Sequence, residues 1–199
     1  MQFKRHPLSF YLPASKSTTA AIAATIIVFT IIAIAIYNKK PSEMKYTRTL
    51  MGTVVEITLV GSDDARLNAA AEAAFDEIKR REGLMSHYKD DNDVAKVNRA
   101  AGKEAVTISK ETMDVIDASL KVSQITNGTF DITMGVLGKV WHFTNDDRGE
   151  MTVPSRAEVE KLLPLIDYRQ IIIDKKNNTA KLAKQGMRIN LGGIAKGYI

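Results

Sequence analysis

Asn190-Leu191-Gly192-Gly193-Ile194-Ala195-Lys196-Gly197 closes a run of three short apolar stretches, Ile171–Asp174, Thr179–Leu182 and Met187–Leu191. Asn177-Asn178 and Gln185-Gly186 separate these stretches, so they read as strands joined by tight turns. Glycines after a strand let backbone approach a ligand closely, and free N–H groups at a helix start suit phosphate. Lys196 is placed to neutralise a pyrophosphate. The spacing matches neither the Walker A loop nor the dinucleotide fingerprint. Taken alone, the segment is equally an ordinary glycine turn.

Upstream, Tyr46–Val60 is rich in Thr and Val and reads as a strand broken at Gly52. After the Gly61-Ser62-Asp63-Asp64 turn, Ala65–Met85 reads as a helix with Leu67, Ala71, Ala74, Phe75, Ile78 and Met85 on one stripe. Ser86–Asp91 is a loop and Asn92–Arg99 a short helix. Ala105–Ile108 is a short strand, and Ser109 caps a helix over Met113–Thr126 that Asn127-Gly128 stops. Asn145–Gly149 is an exposed loop. Ser155 with Glu158 forms a capping box, and Pro164 ends the helix it opens. The expected fold class is α+β, with mixed and antiparallel strands, packed helices, and hairpins in place of regular strand–helix crossovers.

The chain has 199 residues, 45% of them hydrophobic and 26% charged, so a packed core is expected and wholesale disorder is not. It has no cysteine, which excludes disulfides, thiolate metal sites, thiol nucleophiles and an acylated-cysteine anchor. Residues 1–45 hold six of the 28 Lys and Arg and one of the 23 Asp and Glu, leaving 22 − 22 = 0 for residues 46–199. The basic character is therefore N-terminal, and no nucleic-acid face is expected. Ala20–Tyr37 is an uncharged run flanked by Lys4, Arg5 and Lys16 before and Lys39 and Lys40 after. At about 1.5 Å per residue it approaches the thickness of a bilayer core. It reads as one N-terminal transmembrane helix, through Ala33-Ile34-Ala35 as a cleaved signal, or as an unusually uniform buried core helix. The expected organisation is a cytoplasmic segment 1–19, an anchor 20–37, a linker 38–45 and a domain over 46–199. That domain faces the periplasmic, extracytoplasmic side of the inner membrane. The glycine turn at the C-terminal end normally leads into another element, so the domain is expected to be incomplete at that side and inactive in this form.

Three further segments invite chemistry. Gly128-Thr129-Phe130-Asp131-Ile132-Thr133-Met134-Gly135 suggests a tight loop at a ligand, or a bulged strand. Met51, beside Gly52, is placed to lie against a flat ring, or else in a strand core. Tyr88 in Ser86-His87-Tyr88 either stacks on an aromatic ligand or covers a helix end. His6, His87 and His142 form no metal-ligand spacing, and His87 and His142 read as surface positions. Trp141 reads as core.

In this order the segments resemble the ApbE family, flavin transferases that use FAD as donor. The resemblance rests on Met51-Gly52-Thr53, Ser86–Asn98, Gly128–Gly135, Trp141-His142-Phe143 and Ile189–Tyr198. It implies FAD contacts at Met51, Tyr88, Thr129, Phe130, Asp131, Asn190 and Lys196, and a Mg²⁺ contact through the Gly193 backbone carbonyl. Asn190 stands where the family usually has an aspartate, which keeps a hydrogen-bonding group and loses a charge. The catalytic base that the resemblance implies has no counterpart in these residues.

The implied reaction is Mg²⁺-dependent transfer of FMN from FAD to a Thr or Ser hydroxyl of a target protein, with release of AMP. The implied partner is such a flavin-acceptor protein, for instance a subunit of a respiratory redox complex. Two rival readings are Mg²⁺-dependent FAD hydrolysis to FMN and AMP, and a membrane-tethered flavin-binding protein without catalysis.

Overall fold

The computed structural model describes residues 16–37, 40–141 and 153–199. His6, His142, Phe143 and the expected Asn145–Gly149 loop lie outside them. The described chain divides into two units.

The first unit, Met1–Met44 with Thr58–Leu67, contains helix α1 (Lys16–Tyr37) and the outer ends of a hairpin. The apolar side chains of α1 are exposed, Ile22 to Ile34 among them. Thr25 and Thr30 turn their hydroxyls back onto the carbonyls of Ala21 (2.9 Å) and Ile26 (2.8 Å). Among the described residues no helix is long and apolar enough to cross a membrane.

Strand β1 (Ser42–Leu50) begins within the expected linker 38–45 and pairs with β2 (Thr53–Gly61). The expected single strand broken at Gly52 is thus a two-stranded hairpin. Met51 (φ 53°) and Gly52 (φ 67°) both adopt positive φ, as a type I′ loop requires. Helix α2 (Asp64–Met85) follows, with the Asp63 carboxylate accepting from the N–H groups of Ala65 and Arg66.

The second unit, Lys45–Ile57 with Asn68–Ile199, holds the core. Within it, Tyr46 donates to Asn68 (2.8 Å), and Arg48 pairs with Glu72 and lies 5.2 Å from the centre of the Phe75 ring. Helix α3 (Asp93–Arg99) is capped by Asn92, and strand β3 is Val106–Thr107. Helix α4 (Lys110–Ile125) is capped by Ser109. One oxygen of the buried Asp93 carboxylate ties the starts of α3 and α4 together. It accepts from Ser109 N–H (2.9 Å), Ser109 Oγ (2.6 Å) and Thr112 Oγ1 (2.8 Å). Asn127 (φ 50°) and Gly128 (φ 82°) end α4 in the left-handed conformation that their pairing announces.

Helix α5 (Arg156–Leu162) carries the expected capping box. Strands β4 (Ile171–Asp174) and β5 (Thr179–Leu182) form an antiparallel ladder with β3 on the far side of β5. Val94, Val97, Ile116, Leu182, Met187, Ile189 and Leu191 are essentially inaccessible and centre the core.

The expected third strand, Met187–Leu191, is not one. Its residues alternate buried and open as strand residues do. Its backbone, however, bonds to a side chain and to a loop. Asn98 donates to the Ile189 carbonyl (3.1 Å) and accepts its N–H (2.7 Å), while Asn190 N–H donates to the Ile132 carbonyl (2.8 Å). The short helix α6 (Ala195–Tyr198) follows the glycines.

Candidate functional site

Residues 128–131 form a turn and bend in the wall of a cavity, in keeping with the tight-loop reading, and the segment 128–135 contains no bulged strand. Asp131 caps a 3₁₀ helix over Ile132–Lys139. Its Oδ1 accepts from Thr133 N–H (2.8 Å) and Thr133 Oγ1 (2.6 Å), and its Oδ2 from Tyr168 N–H (2.8 Å). Both oxygens of this buried carboxylate are therefore engaged inside the protein, and Asp131 shapes the site more than it offers charge to it. Gly135 lets this helix approach the segment before the glycine turn. A Cβ there would lie 2.7 Å from the Ile189 carbonyl carbon and 2.8 Å from Asn190 N.

In the glycine turn, the Asn190 side-chain oxygen accepts from Gly192 N–H at 2.8 Å. The residue that stands in place of an aspartate thus organises its own loop, a task that a neutral amide oxygen performs. Gly193 is exposed, and a Cβ on it would meet Phe130 at 3.4 Å. Lys196 is exposed on α6, and no described residue pairs with its ammonium group.

Tyr88, 69% exposed, is not a cover over a helix end. Its ring lies 3.8 Å from that of His87, tilted by 39°. Met51, expected either at a ligand or in a strand core, sits at the hairpin turn.

Two cavities collect these residues. The smaller, about 310 Å³, is lined by Met51, Gly52, Glu82, Met85 and Lys196 among others. The larger, about 960 Å³, is lined by Thr129, Phe130, Asp131, Asn190, Gly193 and Trp141 among others. His87, Tyr88 and Gly192 belong to both, so the cavities adjoin along the Tyr88 ridge. All eight residues expected to touch ligand or metal line one or both. Trp141, expected in the core, is half-buried in the larger cavity wall, and His87 also faces both cavities. Sequence reasoning missed Glu82, Lys139 and Arg188. Arg188 carried a usable signal, since it precedes Asn190 by two positions in an alternating segment. Glu82 carried none among the many acidic positions of α2.

The carboxyls whose acidity is clearly shifted lie away from both cavities. Hydrogen bonds from Arg80 and Arg81 hold Glu77 near 2, and those from Lys175 and Lys121 lower Asp117. These are structural ion pairs. Among the described residues no group of three or more His, Asp or Glu could hold a metal ion. Mg²⁺ prefers a near-octahedral set of oxygens; the Gly193 carbonyl alone does not supply one, and both oxygens of Asp131 are engaged elsewhere. Mg²⁺ therefore does not fit the residues described.

The sequence model of the ApbE family matches residues 51–199, the span that contains every residue lining the two cavities. The chain belongs to the ApbE family. Among its relatives is an FAD:protein FMN transferase of Klebsiella pneumoniae (strain 342), 30% identical over 154 residues, covering 77% of this chain and 46% of that protein. Another of the same name, from Treponema pallidum (strain Nichols), is 26% identical over 163 residues, covering 78% and 44%. The crystal structure of the ApbE protein of Thermotoga maritima superposes with a TM-score of 0.71 at 34% identity, over 79% of this chain and 50% of that one. The apo flavinyl transferase ApbE of Pseudomonas stutzeri, at 23% identity and a TM-score of 0.66, shares the fold. This ApbE chain thus spans about half the length of the relatives it matches.

Proposed function

We propose that this chain provides the flavin-binding part of an FAD:protein FMN transferase. One observation carries the reading. The residues that the ApbE pattern assigns to FAD, scattered from Met51 to Lys196, line two adjoining cavities with an exposed tyrosine at the divide. A dinucleotide has two flat ends and a charged middle, and the site offers matching surfaces. Phe130, Trp141, Tyr88 and Met51 supply apolar and aromatic contact for flat rings. The exposed Lys196 meets the pyrophosphate charge, while the N–H groups of Gly192, Ile194 and Ala195 are already bonded within the turn.

In the reaction, the acceptor hydroxyl oxygen bonds to the phosphorus on the FMN side. The bridging P–O bond breaks, and AMP leaves with the electron pair. The hydroxyl proton passes to a base that the described residues do not identify. The acceptor is a Thr or Ser of a partner protein, and a respiratory redox subunit fits the proposed location. Mg²⁺ would need oxygen ligands beyond the Gly193 carbonyl.

The test is titration of the full chain with FAD, following flavin fluorescence, in wild type and Tyr88→Ala. Stacking of a ring on tyrosine contributes about 1–3 kcal/mol, so affinity should fall by about 5- to 150-fold. Unchanged affinity, with the fold intact by circular dichroism, refutes the flavin site. Adding a Thr-containing acceptor separates covalent transfer from FMN release by water.

We also infer that Ala20–Tyr37 attaches the protein to the inner membrane, with residues 46–199 on the extracytoplasmic side. The uncharged run, the exposed apolar surface of α1 and the self-satisfied threonine hydroxyls support this. Resistance to carbonate extraction is expected. A mature N-terminus at Ile36 would show a cleaved signal instead.

A further inference from the structure

The Met51-Gly52 loop forms part of the wall of the smaller cavity, and its geometry needs support. Met51 carries a side chain yet sits at φ 53°, a conformation that L-residues avoid unless their surroundings hold them there. The bonds from Tyr46 to Asn68 and from Arg48 to Glu72 fasten the body of β1 to α2, but neither reaches the loop. The loop has its own fastening. Met51 N–H donates to Oε2 of Glu82 at 3.1 Å, a residue 31 positions away in the last turn of α2. Glu82 is half-buried and lines the same cavity as Met51, whose backbone amide it holds.

We propose that Glu82 is a positioning residue. Its carboxylate fixes the left-handed Met51-Gly52 loop, and so holds the Met51 thioether where the flavin nucleotide binds. A charged acceptor suits this task, because hydrogen bonds to ionised groups are roughly twice as strong as neutral ones. An anion on the rim of a pyrophosphate site is otherwise unfavourable for the ligand. Engagement with the Met51 amide gives it a reason to be there. The inference rests on the flavin reading above.

The experiment compares the full-length wild type with Glu82→Ala, Glu82→Leu and Glu82→Gln. Leu keeps helix propensity and bulk while removing the acceptor, and Gln keeps an acceptor oxygen without charge. Two quantities are read, namely hydrogen exchange of the Met51 amide without ligand, and the Kd for FAD from flavin fluorescence. Glu82→Ala and Glu82→Leu should speed exchange at Met51 and raise the Kd about tenfold, the loss expected for one hydrogen bond to a charged group. Glu82→Gln should restore about half of each effect on the free-energy scale, which a merely electrostatic role of Glu82 would not allow. Unchanged Met51 exchange in both non-accepting variants overturns the anchor. Faster exchange with unchanged Kd overturns its role in binding. Failure of the wild type to bind FAD overturns the functional reading itself, and is recognised before any variant is compared.

Discussion

Asn98→Leu removes both halves of the clamp on Ile189 while nearly preserving side-chain size. The Ile189 residue is only 1% exposed, so its N–H and C=O cannot turn to water when Asn98 no longer meets them. A buried backbone group left unpaired costs about 1–3 kcal/mol. Two such groups, partly relieved by local relaxation, give a loss of about 3 kcal/mol. For a chain of this size that corresponds to a fall in Tm of roughly 6–12 °C. Asn98→Asp keeps the acceptor and loses the donor, so it should fall between Leu and wild type. Urea unfolding followed by far-UV circular dichroism measures the difference. FAD titration of the same proteins should show weaker binding, because Asn190, Gly192 and Gly193 follow directly on the clamped residue. If Asn98→Leu stays within about 0.5 kcal/mol of wild type, the segment finds other partners, and the idea of a side chain standing in for a neighbouring strand fails.

Gly135→Ala should destabilise by about 1–3 kcal/mol, the usual cost of forcing atoms into a packed site, because the new methyl would press on the backbone of Ile189 and Asn190. Gly138→Ala, with nothing within 4 Å, is its control, and equal melting of the two would refute the close-approach argument. Glu77 is held near 2, below its ordinary 4.5, by hydrogen bonds from Arg80 and then Arg81. Its contribution is therefore complete above about pH 4.5 and lost as pH falls from there toward 2. Glu77→Gln should flatten that limb of the stability curve, and an acid limb identical to wild type would count against the pairing.

Elements defined by local chemistry were legible in the sequence. The Ser155–Glu158 capping box, the Asn127-Gly128 stop and the strands at 171–174 and 179–182 depend on residues within a few positions of one another, and all are present. The misreadings arise where a partner is distant in sequence or a local turn lacks its usual residues. Alternating burial at Met187–Leu191 promised a strand, but the bonds come from Asn98, 91 positions away. For Gly128–Gly135 the tight loop is present over 128–131, whereas the bulged-strand alternative is not. The Asp131 carboxylate, reaching Thr133 and Tyr168, starts a 3₁₀ helix at Ile132 instead. Tyr46–Val60 hid a hairpin because a methionine, not asparagine or aspartate, precedes the glycine of its turn. At the site, the residues carried by the family pattern converge on the two cavities. Glu82 could not be read at all, since its task is defined by a backbone N–H of another element.

The Asp93 knot has a consequence for the order of assembly. Its bonds to Ser109 and Thr112 close loops of 16 and 19 residues, whereas the Asn98 clamp closes one of 91. Closing a longer loop costs more chain entropy, and local contacts speed folding. The α3–α4 pair is therefore expected to form first and the glycine-bearing segment to dock late. Thr112→Ala should then slow folding, while Asn98→Ala should mainly hasten unfolding. The reverse pattern would show the nucleus to lie at the ligand side. On this view the polypeptide builds a rigid helical pair early and adds its nucleotide-facing loop to it afterwards.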